Sequence, residues 1–416
     1  MVAGTCVFGV DYETTSVDSS AYDSGDIAWM IVASAFVLLM TPGLAFFYGG
    51  MVNKKNVIST MLQSFVALGV ISVLWVVVGF SLCFGESVGG IIGDPRTYFV
   101  FQGVGLSPNH AFAETIPFLL FALFQLKFAI ITPALITGSF AGRIRFRGYI
   151  LFMVLFSLII YPPLAHMTWH PDGLLRNWGV LDFAGGTVVH MSAGFAALAG
   201  AMFLGKRNES VHQPANIPFV ILGTGLLWFG WFGFNSGSAL GANADAVKAF
   251  ANTNLASATA MITWVFYERY QNRKMSAMGA CIGAIVGLVA ITPAAGFVSL
   301  SHSILIGFIA ALTSNWAIRV QKKFAIDDTL DVFASHGIGG VVGMILTGVL
   351  AEDVGLIHGD SIVFVRHLIT LFVAALGTFA LSYVLYALVN RIIPLRVRSD
   401  QELRGLDYSQ HGERLE

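Results

Sequence analysis

Two histidines, His190 and His336, fall inside otherwise apolar runs of the chain. A charged side chain in such a run costs about 2.5–3.5 kcal/mol on insertion scales, so an ionisable residue there marks a site by default. Imidazole suits that place because it can sit neutral, move a proton near neutral pH or ligate a metal. Each of the two has an upstream carboxylate, Asp182 and Asp331. One isolated histidine would read as a neutral ring hydrogen-bonded to helix backbone; two, each following a carboxylate, weigh against that. His166 and His170 are four apart and could share a helix face. No carboxylate or cysteine is placed to complete a metal set around them, and His190 and His336 lack a partner ligand at i+3 or i+4, so no metal is expected. Cys6, Cys83 and Cys281 are scattered singly, giving neither metal spacing nor a disulfide framework.

The elements that must position these rings are membrane helices. Of 416 residues, 56% are hydrophobic and 11% charged, and the mean hydropathy is +0.74. That is too little polar material to dress a soluble globule. A helix needs about 20 apolar residues to cross the hydrocarbon core. Runs of that kind recur at 27–48, 57–84, 116–139, 148–166, 185–204, 218–237, 250–270, 275–295, 301–320, 335–350 and 367–393, predicting eleven crossings. The tenth is the shortest and is glycine-rich. Continuous Leu, Ala and Gly runs exclude the ten-residue alternation of a membrane barrel.

Eleven crossings put the termini on opposite sides. One set of loops carries Lys54, Lys55, Arg143, Arg145, Arg147, Lys206, Arg207, Arg269, Arg273, Lys274, Arg319, Lys322 and Lys323; the other carries Arg96, Arg176, Lys248 and Arg366. The tail adds Arg391, Arg396, Arg398, Arg404 and Arg414. The basic side is cytoplasmic, which predicts an outside N-terminus and a cytoplasmic C-terminus. Residues 1–25 are acidic and lack the basic start and apolar core of a secretory signal, so they read as an extracellular segment. The sequon Asn208-Glu209-Ser210 falls on the cytoplasmic side, where glycosylation is not expected. No linker divides residues 26–393, and 394–416 form a cytoplasmic tail. With five spans in each half, His190 falls in the fifth and His336 in the tenth. An odd number per half makes the second an inverted repeat of the first, an arrangement that places a solute site near the midplane between halves.

The wording around the histidines goes further. Leu181-Asp-Phe-Ala-Gly-Gly-Thr-Val-Val-His190, Trp231-Phe-Gly-Phe-Asn-Ser-Gly-Ser238 and Asp327-Asp-Thr-Leu-Asp-Val-Phe-Ala-Ser-His-Gly337 closely resemble signatures of the Amt/Rh ammonium transporter family, Amt branch. Thr41-Pro-Gly-Leu-Ala-Phe-Phe-Tyr-Gly-Gly50, Gly405-Leu-Asp407 and His411-Gly-Glu413 extend the resemblance in order along nearly the whole chain.

The resemblance implies an all-α membrane fold of eleven helices with an Amt/Rh-type pore, transport of ammonium or ammonia in place of catalysis, and no cofactor. Ammonium has four N–H donors and no acceptor, so a binding vestibule needs acceptors and π-faces. Trp169 would supply a cation–π contact of about 0.5–2 kcal/mol, Ser238 an acceptor and Phe124 a second ring. Phe128 and Phe234 would be the stacked rings that close the pore and exclude hydrated Na⁺ and K⁺. Below them the solute would cross as ammonia or ammonium beside His190 and His336. Asp182 is expected mainly to cap its helix and shape the vestibule, with Asp331 ordering the approach to His336.

Three positions depart from the family pattern: Lys127, between Phe124 and Phe128; Gly142, where a glutamate is usual; and the ending Arg414-Leu-Glu416. Lys127 would either plug the path or point to a protomer interface or snorkel toward water. These departures keep open an ammonium sensor that binds without conducting and signals through its tail. A cation-coupled transporter of larger organic solutes is the third class. The expected partners are ammonium, the bilayer of the cell (inner) membrane, two further copies in a homotrimer and a cytoplasmic signalling protein; nucleic acid is not expected.

Overall fold

The computed structural model describes residues 22–208, 213–359 and 361–415. Cys6, most of the N-terminal segment, Glu209 and Ser210 of the sequon, and Glu416 lie outside them. Among the described residues, nine helices are long and apolar enough to span a bilayer: α1 Ser24–Met51, α2 Lys54–Phe84, α3 Phe118–Phe140, α4 Phe146–Asn177, α5 Gly186–Leu204, α6 Ile217–Gly237, α9 Leu300–Lys323, α10 Phe333–Leu350 and α11 Ser361–Ile392. Two of the eleven expected spans differ in kind. The seventh is a helix, α7 Ala244–Tyr270, of 27 residues, but its Asn, Thr and charged residues keep it below the apolarity of the others. The eighth, α8 Ala277–Ile291, is only 15 residues, because Thr292-Pro293 ends it early. The expected tenth span begins within two residues of its helix despite its glycines.

Local chemistry sets the helix starts. Asp23, Asn216, Asn243 and Ser276 each accept a backbone N–H three residues on, at 2.9 to 3.0 Å, capping α1, α6, α7 and α8. Helix α4 is broken at Ile160 ahead of Pro162-Pro163, since proline removes a donor and clashes with the preceding turn. Helices α5 and α10 open as π-turns, Gly186–Met191 and Phe333–Ile338, and each π-turn carries one of the two histidines.

One large apolar cluster joins α1–α6 with parts of α8, α10 and α11; a second is built by α7–α10 with residues of the segment between α8 and α9. Where α5 crosses α10, a Cβ on Gly194 would lie 2.1 Å from the Gly337 nitrogen. Only glycine permits that approach. Because Gly194 is four residues past His190 and Gly337 directly follows His336, this crossing brings the two rings together. The tail folds back on the basic end of the bundle. Arg145 N–H donates to the Leu395 carbonyl at 2.7 Å and Val397 N–H to that of Arg143 at 3.0 Å. Asp407 accepts the Ile58 and Ser59 N–H groups at 3.0 and 2.7 Å at the start of α2.

Candidate functional site

Between the Phe118 end of α3, the Asn177 end of α4, the Gly237 end of α6 and the segment preceding α5 lies a cavity of about 320 Å³, bounded by Gln125, Phe128, Thr168, Trp169, Asp182 and Ser238 among others. The Ser238 hydroxyl donates to the Phe234 carbonyl at 2.9 Å, which leaves its lone pairs to accept. Trp169 donates its indole N–H to the Asp182 carbonyl at 3.2 Å, fixing the ring plane. Its ring meets Phe128 edge-on, with centroids 5.7 Å apart. Arg176 also borders the cavity, with its guanidinium bonded to the Trp169 carbonyl at 2.8 Å; it is exposed, so solvent screens it.

Phe128 forms the cavity floor and is backed by Phe234, centroids 4.2 Å apart and planes inclined 32°. Both are fully buried. Beneath the floor the His190 ring packs on Phe234 and Trp231, at 5.9 and 5.3 Å. The Nδ1 atoms of His190 and His336 are 3.4 Å apart. Beyond them lies a void of about 10 Å³ beside Tyr48, Ser335 and His336, room for about one water-sized probe.

The hydrogen-bond inventory fixes how the pair is protonated. Thr292 Oγ1 lies 2.8 Å from the Leu288 carbonyl, to which it must donate its only proton. Its two lone pairs then accept the Trp231 indole N–H at 2.9 Å and the His190 Nε2–H at 3.2 Å. With Nε2 protonated, neutral His190 presents a bare Nδ1. His336 therefore donates from its own Nδ1 and keeps Nε2 as an acceptor without a protein partner among the described residues.

A similar backbone device stands behind each histidine. Asp182 is buried, and its carboxylate accepts the N–H groups of Gly185, Gly186 and Thr187 at 2.8, 2.6 and 2.8 Å. Burial pushes its carboxyl above the usual range, and those three N–H groups act against the shift. Gly185, three residues after Asp182, is left-handed at φ +116°, and His190 follows five later. In the second copy the capping carboxylate is Asp328, not Asp331: it accepts the Phe333 N–H at 2.7 Å and precedes His336 by the same eight residues. Asp331 stands where Gly185 stands in the first, with φ +56°, and contributes its backbone carbonyl to the Ser335 N–H at 2.9 Å. Its carboxyl is pushed up to about 7 by burial and by the neighbouring Asp328.

Across 28–415 the chain matches the model of the Ammonium Transporter Family. It is 46% identical over 400 residues to an ammonium transporter of Aquifex aeolicus, covering 94% of this chain and 93% of that one. Among solved structures it resembles Saccharomyces cerevisiae Mep2, with TM-score 0.87, 34% identity and coverage of 92% and 90% of the two chains. It also resembles the structure of a sensor Amt protein, with TM-score 0.86, 30% identity and coverage of 93% and 98%. The chain belongs to the ammonium transporter family.

Within this family member, the structure brings Trp169, Ser238, Phe128, Phe234, His190, His336 and Asp182 into one column. Phe124 is fully buried behind the floor, its ring 5.0 Å from Phe128; from α3 it is Phe121, Gln125 and Phe128 that border the cavity. Lys127 is half-buried on a stripe with Leu119 and the 36% exposed Leu123, and is not among the cavity's bounding residues. It has no hydrogen-bond or ion-pair partner among the described residues. His166 and His170 stack at 4.3 Å, with both His166 nitrogens engaged, by the Cys83 carbonyl and by Ser87 Oγ. Among the described residues no three His, Cys, Asp or Glu side chains converge as a cage.

Sequence reasoning missed Thr292, Trp231 and Asp328. The eight-residue offset from Asp182 to His190 would have picked out Asp328 from the three aspartates of that segment. Thr292 carried only the weak signal of a hydroxyl beside a proline at a helix end.

Proposed function

We propose that this protein carries ammonium nitrogen across the cell membrane, taking ammonium at the vestibule of Trp169 and Ser238 and passing it through the Phe128–Phe234 floor to the His190–His336 pair. The observation that carries this is the stack of a closed aromatic floor directly on a hydrogen-bonded imidazole pair. A hydrated alkali ion finds no replacement for its water shell there. Ammonium can give its proton to water in the vestibule and pass the rings as neutral ammonia, which then donates an N–H to His336 Nε2. Phe124 backs Phe128, and Asp182 and Asp328 hold the two π-turns in register.

The same proposal includes eleven crossings as two inverted five-helix halves plus α11, with the vestibule and N-terminus outside and the C-terminus cytoplasmic. It also includes a homotrimer and a cytoplasmic partner at the docked tail, both resting on family membership. A non-conducting ammonium sensor is the second reading, raised by the residue type at Lys127 and favoured by the likeness to the sensor Amt structure. The half-exposed stripe that Lys127 shares with Leu123 supports conduction over blockage.

Methylammonium uptake into proteoliposomes separates the readings. Transport predicts saturable uptake by wild type, its loss in His190→Ala and no change in Lys127→Met. A wild type that binds ammonium without uptake, and gains uptake as Lys127→Met, establishes the sensor instead.

A further inference from the structure

His367 sits near the outer end of α11, fully buried and outside the column of residues described above. Its Nδ1 lies 2.9 Å from the Met344 carbonyl and must donate. Its Nε2 lies 2.9 Å from the Leu181 N–H and must accept. Both ring nitrogens are thereby committed, and the ring is neutral with its proton on Nδ1. Met344 is on α10, eight residues after His336; Leu181 directly precedes Asp182.

The segment Leu181–Phe183 forms one wall of the vestibule and has no regular secondary structure. Its backbone groups therefore need partners from elsewhere. Asp182 offers its carbonyl to Trp169 and its carboxylate to the π-turn of α5, and the Phe183 N–H donates to Pro293 at 3.1 Å. The Leu181 N–H is the remaining tie, and His367 supplies its acceptor. The ring thus spaces the wall that orients Trp169 from the helix that carries His336. Space behind it is closed as well: a Cβ on Gly348 would lie 3.2 to 3.4 Å from His367 Cγ, Cβ and Nδ1.

We propose that His367 is a positioning residue for solute capture: it touches no solute, and it sets the vestibule wall through the Leu181 N–H. This rests on the transport reading above. Glutamine can reproduce both bonds, accepting through Oε1 and donating through Nε2, whereas alanine can do neither.

The test is concentration-dependent methylammonium uptake in proteoliposomes, normalised to inserted protein, for wild type, His367→Ala, His367→Gln and Gly348→Ala. Loss of one neutral hydrogen bond corresponds to about threefold to tenfold. His367→Ala should raise the half-saturating concentration by that factor while the maximal rate changes less. His367→Gln should restore it, and Gly348→Ala, which presses on the ring from behind, should shift it in the same direction. If His367→Ala does not insert, the Gly348→Ala and His367→Gln curves decide. Unchanged half-saturation in well-inserted variants, or a loss confined to maximal rate, overturns the proposal. A wild type without uptake refutes the transport reading itself, a distinguishable result.

Discussion

Replacing Thr292 by valine isolates the hydroxyl that sets the protonation of the histidine pair. The side chain keeps nearly its shape, so the effect comes from hydrogen bonding and not from a cavity. Two buried donors, the Trp231 indole N–H and His190 Nε2–H, lose their acceptor at 2.9 and 3.2 Å. Each orphaned donor costs about 1–3 kcal/mol, so the variant should lose about 2–6 kcal/mol of stability unless the pair rearranges. Rearrangement has a definite form. With nothing to receive Nε2–H, His190 gains by moving its proton to Nδ1, which sets two N–H groups face to face across the 3.4 Å gap to His336. The pair then separates or His336 changes tautomer.

Nitrogen NMR of histidine-labelled protein in bilayers reads the tautomers, and thermal unfolding reads the stability. The expected result is a lowered unfolding midpoint, an altered His190 tautomer and reduced methylammonium uptake, with Thr292→Ser near wild type in all three. A valine variant with wild-type midpoint and wild-type tautomers refutes the assignment of the Thr292 proton to Leu288 and the chain built on it.

Asp331→Asn tests the left-handed position before His336. Burial and the neighbouring Asp328 push the carboxyl up to about 7 in the folded protein, against an ordinary value of about 3.9 in the unfolded chain. The folded state therefore binds the extra proton between these values, and this group's contribution to stability falls as pH rises through that window and levels off above it. Asparagine tolerates φ +56° and removes the charge, so the variant should gain stability relative to wild type at pH 8 and little at pH 4; equal melting differences at both pH values would contradict this. Gly142→Ala should loosen the tail. Gly142 has φ +80°, and a Cβ there would lie 2.9 Å from Asn56 Nδ2, while Asn56 Oδ1 accepts the Leu406 N–H at 2.8 Å. A cost of about 1 kcal/mol is expected from the backbone alone, and limited proteolysis after residue 394 should quicken. A protease-resistant tail at the wild-type rate counts against that coupling.

Helices and the ordered motifs were legible because both rest on local signals. Apolar runs announce spans, and a side-chain oxygen at a helix start announces a cap. The second capping aspartate was not legible in the same way. Asp327, Asp328 and Asp331 are chemically alike in the string, and what separates them is conformation: Asp327 pairs with Arg207 at 2.8 Å, Asp328 turns inward to Phe333 N–H, and Asp331 occupies a left-handed backbone. Phe124 illustrates a second limit. Helical periodicity puts it on the stripe of Phe128, yet Gly237, where a Cβ would lie 2.7 Å from the Phe124 ring, admits the ring into the α6 packing and away from the cavity. His367 was within an expected span but appeared there as one more end residue, since its partners, Leu181 and Met344, are distant in sequence.

The two copies of the Asp–left-handed–His device are alike in backbone and unlike in what surrounds their rings. His190 is locked by Thr292 at one nitrogen and by His336 at the other, and it stacks on Trp231 and Phe234. Among the described residues, His336 has a protein partner at one nitrogen only. A hydrogen-bond chain running Trp231 and His190 to Thr292, and His336 to His190, has its single open acceptor at His336 Nε2, next to the water-sized void beside Tyr48. Matching spacings point to equivalence of the two histidines; the packing makes them a ring bonded at both nitrogens and a ring with a protein partner at one nitrogen among the described residues. A proton entering from the floor side would have to displace a bond that Thr292 and Trp231 stabilise, whereas one at the far side meets a lone pair that no protein group among the described residues engages. Any movement of charge through the pair is therefore governed at His190 by the Thr292 hydroxyl, and at His336 by access to the void.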